Sequence, residues 1–110
     1  MDDTTARERL EEMLVELDRS IGVLQGDPVA VREHSAADGG SDLTDADHAR
    51  AMLTVATTQR QAITAAIRRI EEGVYGRCAD CDKPVPDGRL EARPEAARCV
   101  QCQGKQERRR

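Results

Sequence analysis

Four cysteines, Cys78, Cys81, Cys99 and Cys102, stand in the pattern C-x2-C-x17-C-x2-C, and the 110-residue chain has no other. Two thiolates on one Cys-x-x-Cys turn converge on a point, and two such turns complete a tetrahedral zinc site with bonds of about 2.3 Å. The separation of the pairs falls in the range of four-cysteine zinc sites, about 15–20 residues. Disulfides would need an oxidising compartment, and the N-terminus MDDTTARERLEE has neither the basic start nor the apolar run of an export signal. A thioredoxin-like pair needs an α/β context. Haem attachment needs His after the second Cys, where Asp82 and Gln103 stand. The spacing therefore predicts one structural Zn2+, with iron the alternative metal. Four ligands leave no position for water, and no nucleophile–base pair points to an enzyme.

The residues around the thiols suit that reading. A zinc tetrathiolate carries a formal −2, and Arg77, Lys83, Arg89 and Arg98 lie near enough in sequence to offset it. Pro84, Pro86, Gly88 and Pro94 predict a short turn-rich ribbon between the pairs, packed through Leu90 and Ala92 and against Tyr75. With one Tyr and neither Phe nor Trp, the chain has few large core side chains, so the metal stands in for an apolar interior. Chelation is expected to unfold this segment.

What must carry the finger is helical. From Thr5 to Leu24 the apolar residues Leu10, Leu14, Leu17, Ile21 and Leu24 repeat at four, three, four, three, a heptad seam that Met13 widens. Thr4 or Thr5 is the expected N-cap, with Glu8 completing a capping box. Residues 25–43, with Gly26, Pro28, Gly39 and Gly40, read as a mobile connector holding at most a short turn over Val29 to His34. A second helix is expected from Thr44 to Glu72, its stripe Ala49, Met52 or Leu53, Ala56, Ile63, Ile67 and Ile70 extending to Val74. Gly73 and Gly76 end it. After Cys102 a basic stretch, Gln103 to Arg109, reads as a short helix or a tail. His34 and His48 are read as surface residues.

The expected fold is thus mostly α: an antiparallel two-helix coiled-coil hairpin with an acidic tip over 1–73, then a four-cysteine zinc finger with a basic tail over 74–110. Residues 1–50 hold thirteen acids against five Arg, and 51–110 hold eight acids against twelve Lys/Arg. An acidic front and a basic rear suggest surfaces for two environments. The net charge of −4 is wrong for phosphate-driven affinity, and base-stacking aromatics are lacking, so sequence-specific DNA binding is not expected. No run reaches the ~18 apolar residues of a membrane span.

The segment GVYGRCADCDKPVPDGRLEARPEAARCVQC resembles the zinc-finger signature of the DksA/TraR family of bacterial transcription regulators. The Gly-Val-Tyr-Gly lead-in at Gly73 to Gly76, both cysteine pairs, and Arg-Leu-Glu-Ala-Arg-Pro from Arg89 to Pro94 carry the likeness. The resemblance implies a cytoplasmic, monomeric factor that binds RNA polymerase rather than DNA. Its hairpin would enter the secondary channel and modulate initiation through an acidic tip, often together with guanosine tetraphosphate. The family tip motif is Asp-x-x-Asp-x-Ala. Here Ser41 to Ala49 reads SDLTDADHA. One register matches Asp47 and Ala49 but has Thr44 in the first place; the other matches Asp42 and Asp45 but has Asp47 in the last. Asp42, Asp45, Asp47 and Ala49 are therefore the tip candidates. The plain alternative is a helix cap, since Thr44 with Asp47 forms a capping box worth ~1 kcal/mol. A nucleic-acid-binding zinc ribbon and a zinc-stabilised helical adaptor are the competing functional classes.

Overall fold

Helix α1 begins where a short acid can satisfy its free amides. Asp2 Oδ1 accepts from the Thr5 N–H at 2.7 Å and the Asp2 carbonyl from the Ala6 N–H at 3.0 Å. Asp2 is therefore the N-cap in place of Thr4 or Thr5, and that backbone hydrogen bond holds its carboxyl below the usual range. The computed structural model describes the backbone of residues 1–38 and 46–109, and the side chains of 1–33 and 46–109.

Five helices follow in order: α1 (Asp3–Leu24), α2 (Pro28–Asp38), α3 (Ala46–Glu71), α4 (Asp87–Ala92) and α5 (Val100–Arg108). Both long helices lie within about two residues of their expected bounds. Both end in the same way. Gly26 and Gly73 adopt φ of 79° and 77°, and the next amide reaches back five residues, Asp27 to Gly22 at 2.9 Å and Val74 to Arg69 at 3.0 Å. This is the Schellman closure, which needs a left-handed residue and selects glycine.

Two compact units result, one of Met1–Glu12 with Ala62–Arg110, the other Met13–Gln61. In the first, the start of α1 lies against the end of α3. Ala6, Leu10, Ile63 and Ala66 are essentially fully buried, and Arg7 pairs with Glu71 at 3.5 Å. Burying one such Leu or Ile stabilises by about 1.5–3 kcal/mol. The stripe stops short of Val74, which remains 41% exposed because the turn at Gly73 takes it off the helix face.

In the second unit the seam is thinner. Val23 and Ala56 are buried, whereas Met13, Leu14, Leu17, Ile21, Leu24 and Leu53 are only half-buried. Asp18 and Arg60 close one side at 2.6 Å. Arg60, in the middle of α3, turns its charge to this acid, and the contact raises its pKa.

The expectation of an irregular connector is corrected over α2. Asp27 Oδ1 accepts from the Val29 N–H at 3.0 Å, Pro28 starts the helix with its φ preset, and no breaker intervenes before Gly39. Ala30 of α2 meets Gly22 of α1 so closely that a Cβ at Gly22 would lie 3.0 Å from its Cβ. The tip candidates Asp42 and Asp45, and the Thr44 cap, fall outside the described residues. Asp47 is exposed in the first turn of α3 and pairs with Arg50 at 3.6 Å, and Ala49 is half-buried.

Candidate metal centre

Each cysteine pair is set by a backbone turn rather than by an apolar core. Arg77 and Pro84 form an isolated antiparallel bridge. Within it the Cys78 N–H donates to the Lys83 carbonyl at 2.8 Å, and Asp82 returns to the Cys78 carbonyl at 3.0 Å. Closing so tight a knuckle forces Asp82 to φ 61°, the described non-glycine residue with positive φ. Asp tolerates that region better than most side chains. The second pair is built differently. Cys99 is the extended N-cap of α5, and the helix begins at Val100, so Cys102 lies in its first turn. The two knuckles are joined by Ala79 N–H to Ala97 O at 2.8 Å and by Arg98 Nε to Asp80 Oδ2 at 2.8 Å.

These turns bring the four sulfurs of Cys78, Cys81, Cys99 and Cys102 within 4.8 Å of one another, with Cys81 and Cys99 at 3.9 Å. Tetrahedral zinc with bonds of about 2.3 Å needs sulfurs roughly 3.8 Å apart. The donor set therefore fits zinc without rearrangement of the chain. No other group of metal-ligating side chains gathers among the described residues.

The knuckle also polarises the thiols before metal arrives. Burial pushes the Cys78 thiol up, but hydrogen bonds at the backbone of Cys81, Cys99 and Asp80 outweigh it and bring the pKa down to about 6. Hydrogen bonding with Cys99 and then burial push Cys102 up to about 12.

A small apolar cluster supports the centre. Val85 and Leu90 are buried with Cys78 and Cys102, and Met1, Tyr75 and Ala96 pack on them. Ala92, expected to share this role, is exposed, because α4 turns Leu90 inward and carries Ala92 to its outer face. The ribbon is expected to be turn-rich. Pro86 nevertheless supplies a rigid start for α4, as it does for many helices. Tyr75 packs as expected, and its hydroxyl donates to the Pro94 carbonyl at 2.8 Å. Arg69 Nη2 reaches the Ala96 carbonyl at 3.5 Å. Both contacts tie the end of α3 to the finger.

The cations are arranged otherwise than sequence proximity suggests. Arg77 pairs with Asp82 at 3.3 Å, Arg98 with Asp80, and Arg89 donates to the Arg98 carbonyl at 2.9 Å. Lys105, Gln106 and Arg109 instead line a polar cleft of about 480 Å³ beside Cys81 and Cys102. Their spacing from Cys102 is helical, and reading α5 as starting before Cys102 would have revealed them.

Residues 73–108 match the profile of the prokaryotic dksA/traR C4-type zinc finger. Over 104 residues the chain is 34% identical to proteins named RNA polymerase-binding transcription factor DksA from two strains of Caulobacter vibrioides. That alignment covers 90% of this chain and 68% of the relative. The fold is also that of transcription factor DksA2 from Pseudomonas aeruginosa, with a TM-score of 0.71, 24% identity, and coverage of 97% of this chain and 84% of that one. Helical pairing, a four-cysteine centre and a relationship spanning most of the chain agree: the protein belongs to the DksA/TraR family.

Proposed function

We propose that this chain is a bacterial transcription regulator that binds RNA polymerase in its secondary channel and modulates initiation through the acidic stretch from Asp42 to Asp47, which runs into the first turn of α3. The observation that carries the reading is the family relationship across 90% of the chain, since the Caulobacter relatives are named for polymerase binding. Charge supports the orientation. Residues 13–61 contain eight acids against four Arg, the entire net charge of −4, while the rest of the chain is balanced at thirteen of each. The acidic unit suits a channel lined by basic groups and Mg2+.

In this reading zinc fixes the finger on the end of α3, and Asp42, Asp45 and Asp47, with Ala49 behind them, present the effector end. Four thiolate ligands leave the metal no open position, so the role is binding rather than catalysis. The protein acts as a monomer in the cytoplasm, with guanosine tetraphosphate as co-effector. No described helix is long and apolar enough to cross a membrane.

The test is binding of the zinc-loaded protein to core RNA polymerase of its own host without DNA, with a competing secondary-channel factor titrated in. Competed binding is expected. Uncompeted binding moves the site elsewhere on the polymerase, and absent binding with zinc and helix content intact overturns the reading. Replacing Asp42, Asp45 and Asp47 together by Ala is expected to spare zinc and binding but remove the transcriptional effect, measured with and without the nucleotide. An unchanged effect leaves those acids as a helix cap.

A further inference from the structure

The two halves of the metal centre are held in unequal ways. The first knuckle closes on itself. The Cys78 N–H donates to the Lys83 carbonyl at 2.8 Å, the Asp82 N–H to the Cys78 carbonyl at 3.0 Å, and the Val85 N–H to the Gly76 carbonyl at 2.7 Å. The second pair follows an arm, Ala96 to Arg98, whose three successive carbonyls each accept from a different element. Ala96 O takes Arg69 Nη2 of α3 at 3.5 Å, Ala97 O the Ala79 N–H of the first knuckle at 2.8 Å, and Arg98 O takes Arg89 Nε of α4 at 2.9 Å. Two hydrogen bonds therefore join this arm to the first knuckle: Ala79 to Ala97, and Arg98 Nε to Asp80 Oδ2 at 2.8 Å.

The position of the side-chain pair matters. Asp80 immediately precedes Cys81, and Arg98 immediately precedes Cys99. Cys78 and Cys102 are buried, whereas Cys81 is exposed and Cys99 half-buried, so the Cys81–Cys99 edge, 3.9 Å across, is the open side of the centre. The polar cleft lined by Asp80 and Cys81 brings solvent to it. We propose that Asp80 and Arg98 form a latch on this edge. Closed, it keeps the two knuckles together; its opening is the route by which metal is lost to a competing ligand. Arg98 suits the task because its backbone is already fixed through Arg89, and its planar guanidinium then meets Asp80 at little further entropic cost. With its side chain 30% exposed and that of Asp80 45%, the contact can open locally without unfolding the finger. Both are positioning residues that act through the cysteine that follows them. The inference rests on the zinc site and not on polymerase binding, so its test needs no polymerase.

The test uses the full zinc-loaded chain with Asp80→Asn, Arg98→Gln and the double variant. Zinc loss is timed with the chromogenic chelator pyridylazoresorcinol, and amide hydrogen exchange is followed by NMR in parallel. Each single variant is expected to lose zinc about fivefold faster, the order of effect for a partly exposed charged hydrogen bond. The double variant is expected to be no faster than either, since the same contact is removed. Hydrogen exchange separates a latch from general support. The Ala79 amide spans the joint, and its exchange is expected to quicken by the same factor. The amides of Cys78, Asp82 and Val85, bonded within the first knuckle, are expected to keep the parent's rates. Arg7→Gln removes an exposed ion pair with Glu71 and is the control, expected to match the parent throughout. Equal acceleration of all four amides would make the pair a general support of the finger and overturn the latch. So would zinc loss at the parent's rate in the single variants, or effects that add in the double variant.

Discussion

The two compact units show two ways of folding a chain that has one aromatic residue. Around the finger, order comes from closure. A backbone bridge, two knuckles, hydrogen bonds between them and a metal fix nearly every residue, and the buried side chains are few. In Met13–Gln61 order comes mainly from packing between helices, and the packing is partial, with Val23 and Ala56 alone buried among its described hydrophobics. The first arrangement stakes much of its stability on one ion. The second leaves apolar and acidic surface over, which is what a binding module requires.

The contrast is broken most severely at the metal. Cys78→Ser, or zinc removal by a chelator, is expected to unfold α4 and α5, because structural zinc in small fingers contributes on the order of 10–16 kcal/mol of apparent binding energy. Loss of helix signal on chelation, reversed by zinc, checks this. Metal binding is also expected to depend on pH. Zinc needs all four thiols as thiolates, and in the unfolded, metal-free segment these start near the ordinary thiol value of about 8.5. Binding therefore releases protons below that value, and zinc affinity is expected to fall as pH falls from about 8 to about 6. An affinity flat over that range would mean that the metal-free knuckles already hold the thiolates.

The packing side of the comparison predicts smaller effects. Leu10, fully buried, and Leu17, half-buried in the thinner seam, are the same residue type on the same helix in different units. Leu10→Ala is expected to cost about 2–5 kcal/mol in chemical denaturation, and Leu17→Ala less than half of that. Equal costs would mean that the thinner seam packs as tightly as the other. Tyr75→Phe keeps the ring but removes its hydrogen bond to Pro94, a loss of about 1 kcal/mol visible as a lower melting temperature of the finger.

The sequence was most informative where spacing alone determines geometry. The four ligands and the two long helices follow from C-x2-C pairs, heptads and terminal glycines, each a local rule. Readings failed where a local signal was balanced against context. Gly26, Pro28 and the paired Gly39–Gly40 suggested an irregular connector, yet Pro28 is a helix starter when an acid such as Asp27 caps it. Ala92 looked like a packing residue until α4 determined which face it occupies. The cations near the thiols could be counted but not assigned, because Arg77 and Arg98 each had a closer acid whose position depends on the knuckle fold. Burial within the heptads was equally hidden, since a stripe of correct period says nothing about how much of it a single partner helix covers.

The subtlest difference between the units lies in backbone strain, and Asp82 tests it. The positive φ of Gly26 and Gly73 costs those residues nothing, whereas Asp82 holds φ 61° with a side chain. A residue without a stabilising polar group pays roughly 1–2 kcal/mol there. Asp82→Ala is therefore expected to destabilise the finger by about 1 kcal/mol and to hasten zinc loss to a chromogenic chelator. Asp82→Gly removes the strain but also the pair with Arg77. Because that pair is exposed, it contributes only about 0–1 kcal/mol. The glycine variant should equal or exceed the parent in melting temperature and retain zinc at least as long. If the two variants lose zinc equally fast, the Arg77 contact rather than the backbone governs the knuckle. If glycine is protective, the finger carries a local strain that its metal offsets, whereas Gly26 and Gly73 carry none at the helix ends.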